Sequence, residues 1–256
     1  LSIRIPRRSD ALMRCGDLWD VRDLGRRRTP RMVFDFVDGA AGSEASLDRA
    51  RDVFGRVEME PRALTDVSNI DLAANILGRE TPLPFFFAPT GATRLSHHVG
   101  EIGVARVAAD LGIPCCLSTL GTTTIEDLAA AVPSAWRWFQ LYLLSDKSRT
   151  TELLERVWSA GSDTLVLTID TPVPGRRNRD VRNGLAVPPK LSWRSVFQIA
   201  GYPAWWFDKL TTEPFRFGMI DAISERPAER MARVMDPTVG IENVEWIRAN
   251  WAGKLV

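Results

Sequence analysis

Thiols, imidazoles and phenols are scarce in this chain: three cysteines, two histidines and two tyrosines in 256 residues. Cys15, Cys115 and Cys116 are odd in number and contain no C-x-x-C, so a disulfide framework is excluded as a reading. With only His97 and His98 to add, metal binding is not expected. Free thiols suit a reducing compartment, so the expected location is the cytoplasm. No run of 18 apolar residues occurs, and no spanning helix is expected. The first ten residues hold no apolar h-region, so a secretory leader is not expected. Net charge is only +1 with 25% charged residues, which argues against a nucleic-acid partner and against a solvated, disordered chain. No G-x-G-x-x-G follows the first strand-like run, which argues against a dinucleotide-binding Rossmann domain.

What is present is a repeated unit. Four apolar runs, Leu83-Pro-Phe-Phe-Phe-Ala-Pro-Thr90, Pro114-Cys-Cys-Leu-Ser-Thr119, Trp136-Arg-Trp-Phe-Gln-Leu-Tyr142 and Asp163-Thr-Leu-Val-Leu-Thr-Ile-Asp170, each end in polar residues. Helical patterns follow over 100–111, 124–131 and 146–160, with Leu153, Leu154, Val157 and Trp158 on one face of the last. Thr123 or Thr124 is a candidate N-cap. Strand starts recur roughly every 25–30 residues, the size of a βα unit. Apolar strands alternating with amphipathic helices predict an α/β fold with a parallel sheet. An open doubly wound sheet and a closed barrel share this pattern. In a barrel, polar residues at strand C-termini build the active site, which selects Thr90, Ser118, Gln140, Tyr142, Thr168 and Asp170.

The flanks differ. Residues 1–80 read as a basic helical lead-in, with helices over 17–24 and 30–37 and a glycine-rich stop at 38–42. Arg26-Arg-Arg28 reads as a solvated face. After Asp170 an aromatic excursion over 172–240 carries Trp193, Trp205, Trp206, Phe207, Phe215, Phe217 and Met219. Such insertions are lids, binding loops or partner surfaces, or else pack on the domain. A helix over 241–251 and a fifth run, Gly253–Val256, follow.

Six motifs in order then resemble the FMN-dependent 2-hydroxy-acid dehydrogenases and oxidases: Arg31-Met-Val-Phe-Asp-Phe-Val-Asp-Gly-Ala40, Ala88-Pro-Thr-Gly91, Leu117-Ser-Thr119, Phe139-Gln-Leu-Tyr142, Leu167-Thr-Ile-Asp-Thr-Pro172 and Gly175-Arg-Arg-Asn-Arg-Asp180. Within that family the chain looks most similar to respiratory-type bacterial L-lactate dehydrogenases. The resemblance implies one FMN domain over 1–256: an incomplete (β/α)8 TIM barrel of N-terminal helices and the first four to five strands. It implies FMN beside the backbone of Pro89, Thr90 and Gly91, with Ser118, Gln140 and Thr168 as polar contacts to the ring. Tyr142 would bond the substrate and Arg177 its carboxylate; Asp170 would orient a catalytic histidine. Arg176 and Arg179 read as surface charges. The implied substrate is a small 2-hydroxy acid, and the acceptor a quinone or oxygen. A homotetramer and peripheral contact with the inner face of the cell membrane are further expectations.

Two departures stand out. A family tyrosine that holds the substrate carboxylate is Phe36 here. The family's fifth-strand lysine, catalytic histidine and phosphate-binding loops find no counterpart, and Lys254, His97 and His98 are not substitutes. The expected chain is therefore a C-terminally truncated one, inactive alone, with roughly 100 or more residues absent at about 30 per βα unit. The alternatives are an oxygen-using oxidase, an inactive flavin-binding or interaction module, and, less well matched, a flavin-dependent isomerase.

Overall fold

Three parallel strands and one short edge strand form the sheet on which everything else is arranged. A computed structural model describes residues 11–170, 175–184, 199–221 and 238–256. By its contacts the chain divides into two units, one of residues 1–47 and 176–214, the other of 48–175 and 215–256.

The larger unit carries a hairpin, β1 (Ala74–Ile76) and β2 (Arg79–Thr81), paired antiparallel. Its turn places Leu77 and Gly78 at φ of +52° and +81°. Two successive positive φ values are the type I′ geometry that matches strand twist, and glycine adopts it without a Cβ penalty. This hairpin lies inside the segment read as helical lead-in; three-residue strands are too short for their alternation to register in sequence.

The parallel sheet has the order β3 (Pro114–Ser118), β4 (Trp136–Tyr142), β5 (Thr164–Thr168), β6 (Lys254–Leu255). Ser118 is opposite Gln140, and Tyr142 opposite Thr168. The run 83–90, read as a first full strand, forms only a parallel bridge, Phe87 to Cys115. Phe87 N donates to Pro114 O (3.0 Å), and Cys116 N to Phe87 O (2.9 Å). Pro89, two residues on, has no N–H for the next rung toward β3, so the pairing does not extend past the bridge.

Helices α4 (Gly100–Leu111), α5 (Ile125–Ala131) and α6 (Lys147–Ser159) connect these strands. Thr124 caps α5 by accepting from Asp127 N (3.1 Å), and Asp146 caps α6. Phe139, Leu141, Leu153, Val157 and Leu165 are fully buried, and these residues with Ile113, Ile125 and Ile247 form one core. Trp158, expected on the buried face, is half exposed, with its ring edge against Trp251. Alternation along β4 sends Trp136, Trp138 and Gln140 to the other face of the sheet, where the two indoles pack with Cys116. Burial pushes the Cys115 thiol up to about 11 and raises Cys116 as well, so neither is a ready nucleophile. The excursion contributes α9 (Gly218–Asp221), whose Met219 is fully buried in this core. α10 (Ile241–Asn250) precedes β6.

The smaller unit holds α1 (Leu18–Arg28), α2 (Arg31–Asp38), α7 (Asn178–Asn183) and α8 (Pro203–Thr211); α3 (Ala45–Gly55) begins at its edge. Asp17 caps α1 and Pro30 precedes α2, both as the sequence suggests. Trp193 and residues 1–10 lie outside the described residues. None of the described helices is long and apolar enough to cross a membrane.

Candidate functional site

Register brings the polar strand ends together. Ser118 ends β3, Gln140 lies two residues before the end of β4, and Thr168 ends β5, so three neighbouring strands present them side by side. Ser118 Oγ donates to Gln140 Oε1 (2.9 Å), Thr119 N donates to the same oxygen (3.2 Å), and Gln140 Nε2 donates to Thr168 Oγ1 (2.8 Å). Gln140 is 2% exposed, and its amide orientation is fixed from both sides. Once Thr168 Oγ1 has accepted, its hydroxyl hydrogen remains to be donated outward, as does the second amide hydrogen of Gln140.

Thr119, not singled out in the sequence, holds the neighbouring turn. Its hydroxyl donates to Gln140 O (2.6 Å) and accepts from Tyr142 N (3.1 Å). The half-buried Tyr142 therefore leaves the sheet from a backbone anchored by a side chain. Glu101 is a second residue that sequence reading passed over, because an acid in a helix's first turn is ordinary. It is buried, and its carboxylate accepts from Thr122 N (2.7 Å), Thr122 Oγ1 (2.6 Å) and Thr123 Oγ1 (2.9 Å).

Pro89, Thr90 and Gly91 follow the Phe87 bridge. Ala92 N donates to Leu120 O (3.0 Å). A Cβ on Gly91 would sit 3.0 Å from Leu120 Cβ, so the close approach of these two backbones calls for glycine. Asp170 stands exposed two residues beyond β5, and residues 171–174 lie outside the described set.

Phe36 and Arg177 meet in the smaller unit. The Arg177 guanidinium lies 5.0 Å from the centre of the Phe36 ring. Its Nη2 donates to Phe36 O and to Gly39 O (2.9 Å for the latter). Its Nε lies 2.8 Å from Asp180 Oδ2, an ion pair without hydrogen-bond alignment. Nη1 retains donors for a further carboxylate. Burial pushes the Asp180 carboxyl up, against the opposing pull of Arg177. Arg179 is not the surface charge expected from sequence: it pairs with Asp38 (3.0 Å), Glu44 and Asp35 (3.8 Å). Burial alone would lower its pKa, but the bonds from Glu44 and Asp38 outweigh this and raise it.

A parallel α/β sheet with hydroxyl and amide groups gathered at its strand C-termini fits part of a (β/α)8 barrel, a fold whose active sites lie at that end. The model of the FMN-dependent dehydrogenase family matches residues 25–256. The chain belongs to that family, and its cofactor is FMN. It is 48% identical over 237 residues to a Mycobacterium tuberculosis protein carrying the provisional name L-lactate dehydrogenase, covering 93% of this chain and 57% of that protein. A crystal structure titled as the monotopic membrane protein (S)-mandelate dehydrogenase superposes with a TM-score of 0.88 at 32% identity, covering 94% of this chain and 65% of that one. A mandelate oxidase mutant solved with an FMN adduct gives 0.72 at 32%, covering 92% and 60%. The chain thus spans about three fifths of the length of these relatives.

The residues fit the cofactor on chemical grounds. A flavin ring edge alternates carbonyl acceptors with an N–H donor, and the Thr168 hydroxyl and the second hydrogen of Gln140 Nε2 remain able to donate to such carbonyls.

Proposed function

We propose that the protein containing this chain oxidises a small L-2-hydroxy acid, most closely L-lactate, to the 2-oxo acid, passing two electrons to FMN. The observation that carries this reading is the Ser118–Gln140–Thr168 chain of hydrogen bonds across three adjacent strand ends. FMN, when bound, supplies a two-electron acceptor. Ser118, Gln140 and Thr168 position its ring, together with the backbone of Pro89, Thr90 and Gly91. Tyr142 donates its phenol to the substrate. Arg177 receives the substrate carboxylate through its Nη1 hydrogens, since both Nη2 hydrogens are given to Phe36 O and Gly39 O. Asp170 would orient a catalytic histidine contributed from outside these 256 residues, since a carboxylate fixes the tautomer of its imidazole partner and favours imidazolium.

The second substrate is a membrane quinone in the favoured reading. Phe207 and Leu210 on α8 are 61% and 76% exposed, which suits peripheral contact with a membrane surface. Oxygen as acceptor is the alternative.

The test is a visible spectrum of the FMN-loaded protein before and after anaerobic addition of L-lactate or (S)-mandelate. Bleaching by L-lactate at lower concentration than by mandelate is expected. A yellow protein bleached by neither acid would overturn the reading. A quinone analogue and oxygen, supplied in turn, then separate the two acceptors.

A further inference from the structure

The turn between β3 and α5, residues 119–123, touches Gly91, Ser118 and Gln140 of the proposed ring-binding set. At its start, Thr119 N continues the parallel ladder to Gln140 O (3.1 Å). In a regular parallel ladder the next rung would run from Tyr142 N to Thr119 O. It runs instead to Thr119 Oγ1 (3.1 Å), while the same hydroxyl donates to Gln140 O (2.6 Å). A side chain has replaced backbone in the ladder, which lets β3 turn away while β4 continues to Tyr142. Next in the turn, Leu120 O accepts from Ala92 N, and Leu120 Cβ abuts Gly91. Leu120 N donates to Ser118 Oγ (3.1 Å). At the far end Glu101 receives three donors from Thr122 and Thr123, and Thr122 Oγ1 also accepts from Arg94 N (3.3 Å).

We propose that Thr119 and Glu101 are positioning residues that clamp this turn from both ends, so that Gly91, Ser118, Gln140 and Tyr142 keep one fixed mutual geometry. The inference rests on the reading above of those four as cofactor and substrate contacts. Thr119 is 0% and Glu101 6% exposed, so neither acts by touching bulk solvent. The hydroxyl of Thr119 is the active element. Valine keeps its shape and removes both bonds, whereas serine keeps both and removes a methyl group.

The experiment compares FMN-loaded full-length protein with its Thr119→Val, Thr119→Ser and Glu101→Gln variants. Read-outs are kcat and KM for L-lactate, the visible band of bound flavin, and amide exchange at Tyr142. Thr119→Val is expected to lower kcat at least tenfold, shift the flavin band and speed Tyr142 exchange at least tenfold. Thr119→Ser should stay within threefold of the parent on all three. Glu101→Gln should fall between them, because an amide supplies only one acceptor oxygen to a site built for three donors. A Thr119→Val enzyme with parental kcat and spectrum overturns the proposal, as does a serine variant as impaired as the valine. If the valine variant does not fold, the parent decides: a Tyr142 amide exchanging as fast as a free loop amide overturns the clamp. A parent that never binds FMN or bleaches sinks the functional reading, a separate outcome.

Discussion

At the scale of single residues, the site is a matter of which donors remain after local bonds are made. Gln140 accepts from two neighbours and gives one hydrogen to Thr168. Replacing its amide by a carboxylate removes that donor, and Thr168 must then turn its own hydrogen inward. Gln140→Glu is therefore expected to weaken FMN binding at least tenfold while the protein still folds; titration followed by flavin fluorescence checks it, and unchanged affinity would refute the assignment. Phe36 presents the converse case. Its ring lies against Arg177, but it has no hydroxyl to offer. A hydrogen bond to a charged group contributes about 1.5–3 kcal/mol, and 1.4 kcal/mol is about tenfold. Phe36→Tyr should lower KM for a 2-hydroxy acid about tenfold or more, and a steady-state comparison with lactate and mandelate shows whether either improves. The polar strand ends were legible in sequence because each interrupts an apolar run. Thr119 and Glu101 were not: a threonine beside a serine, and an acid opening a helix, look ordinary until register and burial show what they bond.

At the scale of elements, periodicity carried most of the information. The helices over 100–111 and 147–159 and the strand over 136–142 follow directly from apolar spacing and capping residues. Other elements escaped, the helices α7, α8 and α9 of the excursion among them. The run 83–90 has a strand's composition, but Pro89 ends its pairing at a single bridge, because composition does not count donors. The β1–β2 hairpin is set by a turn at Leu77 and Gly78 rather than by alternation. Between elements, Arg156 of α6 grips Glu126 of α5 through two bonds of 2.7 and 3.0 Å. Burial alone would raise the Glu126 carboxyl, but the bonds from Arg156 outweigh it and hold it below the usual range. A lowered folded pKa contributes stability that is present above the unfolded value, about 4.3 for glutamate, and is lost as pH falls through the folded value. The pair is partly exposed, so Glu126→Gln should cost no more than about 1 kcal/mol at pH 7. Melting curves of parent and variant should differ at pH 7 and converge as the pH falls below about 4; a gap that persists in acid would mean that packing, not charge, joins α5 to α6.

At the scale of the whole molecule, FMN bound at the proposed strand-end site is expected to stabilise the fold. Ser118, Thr119 and Thr168 fix the Gln140 amide by hydrogen bonds within the chain. Such a site binds without first having to order its polar groups, so most of the interaction is available as affinity. A ligand that binds only the folded state stabilises it by about 2.7 kcal/mol at a hundred times its Kd. For a chain of this size each kcal/mol moves the melting temperature by about 2–4 °C, so saturating FMN is expected to raise it by roughly 5–10 °C. The chain spans 57% of its Mycobacterium tuberculosis relative, so the same melt on a longer product measures what further residues add to the site. A shift already present in the 256-residue chain would mean that these strand ends suffice to bind FMN. A shift that appears only in the longer protein would mean that the bonds seen here orient the ring, while affinity comes from elsewhere. No shift in either would remove FMN from the account of this site.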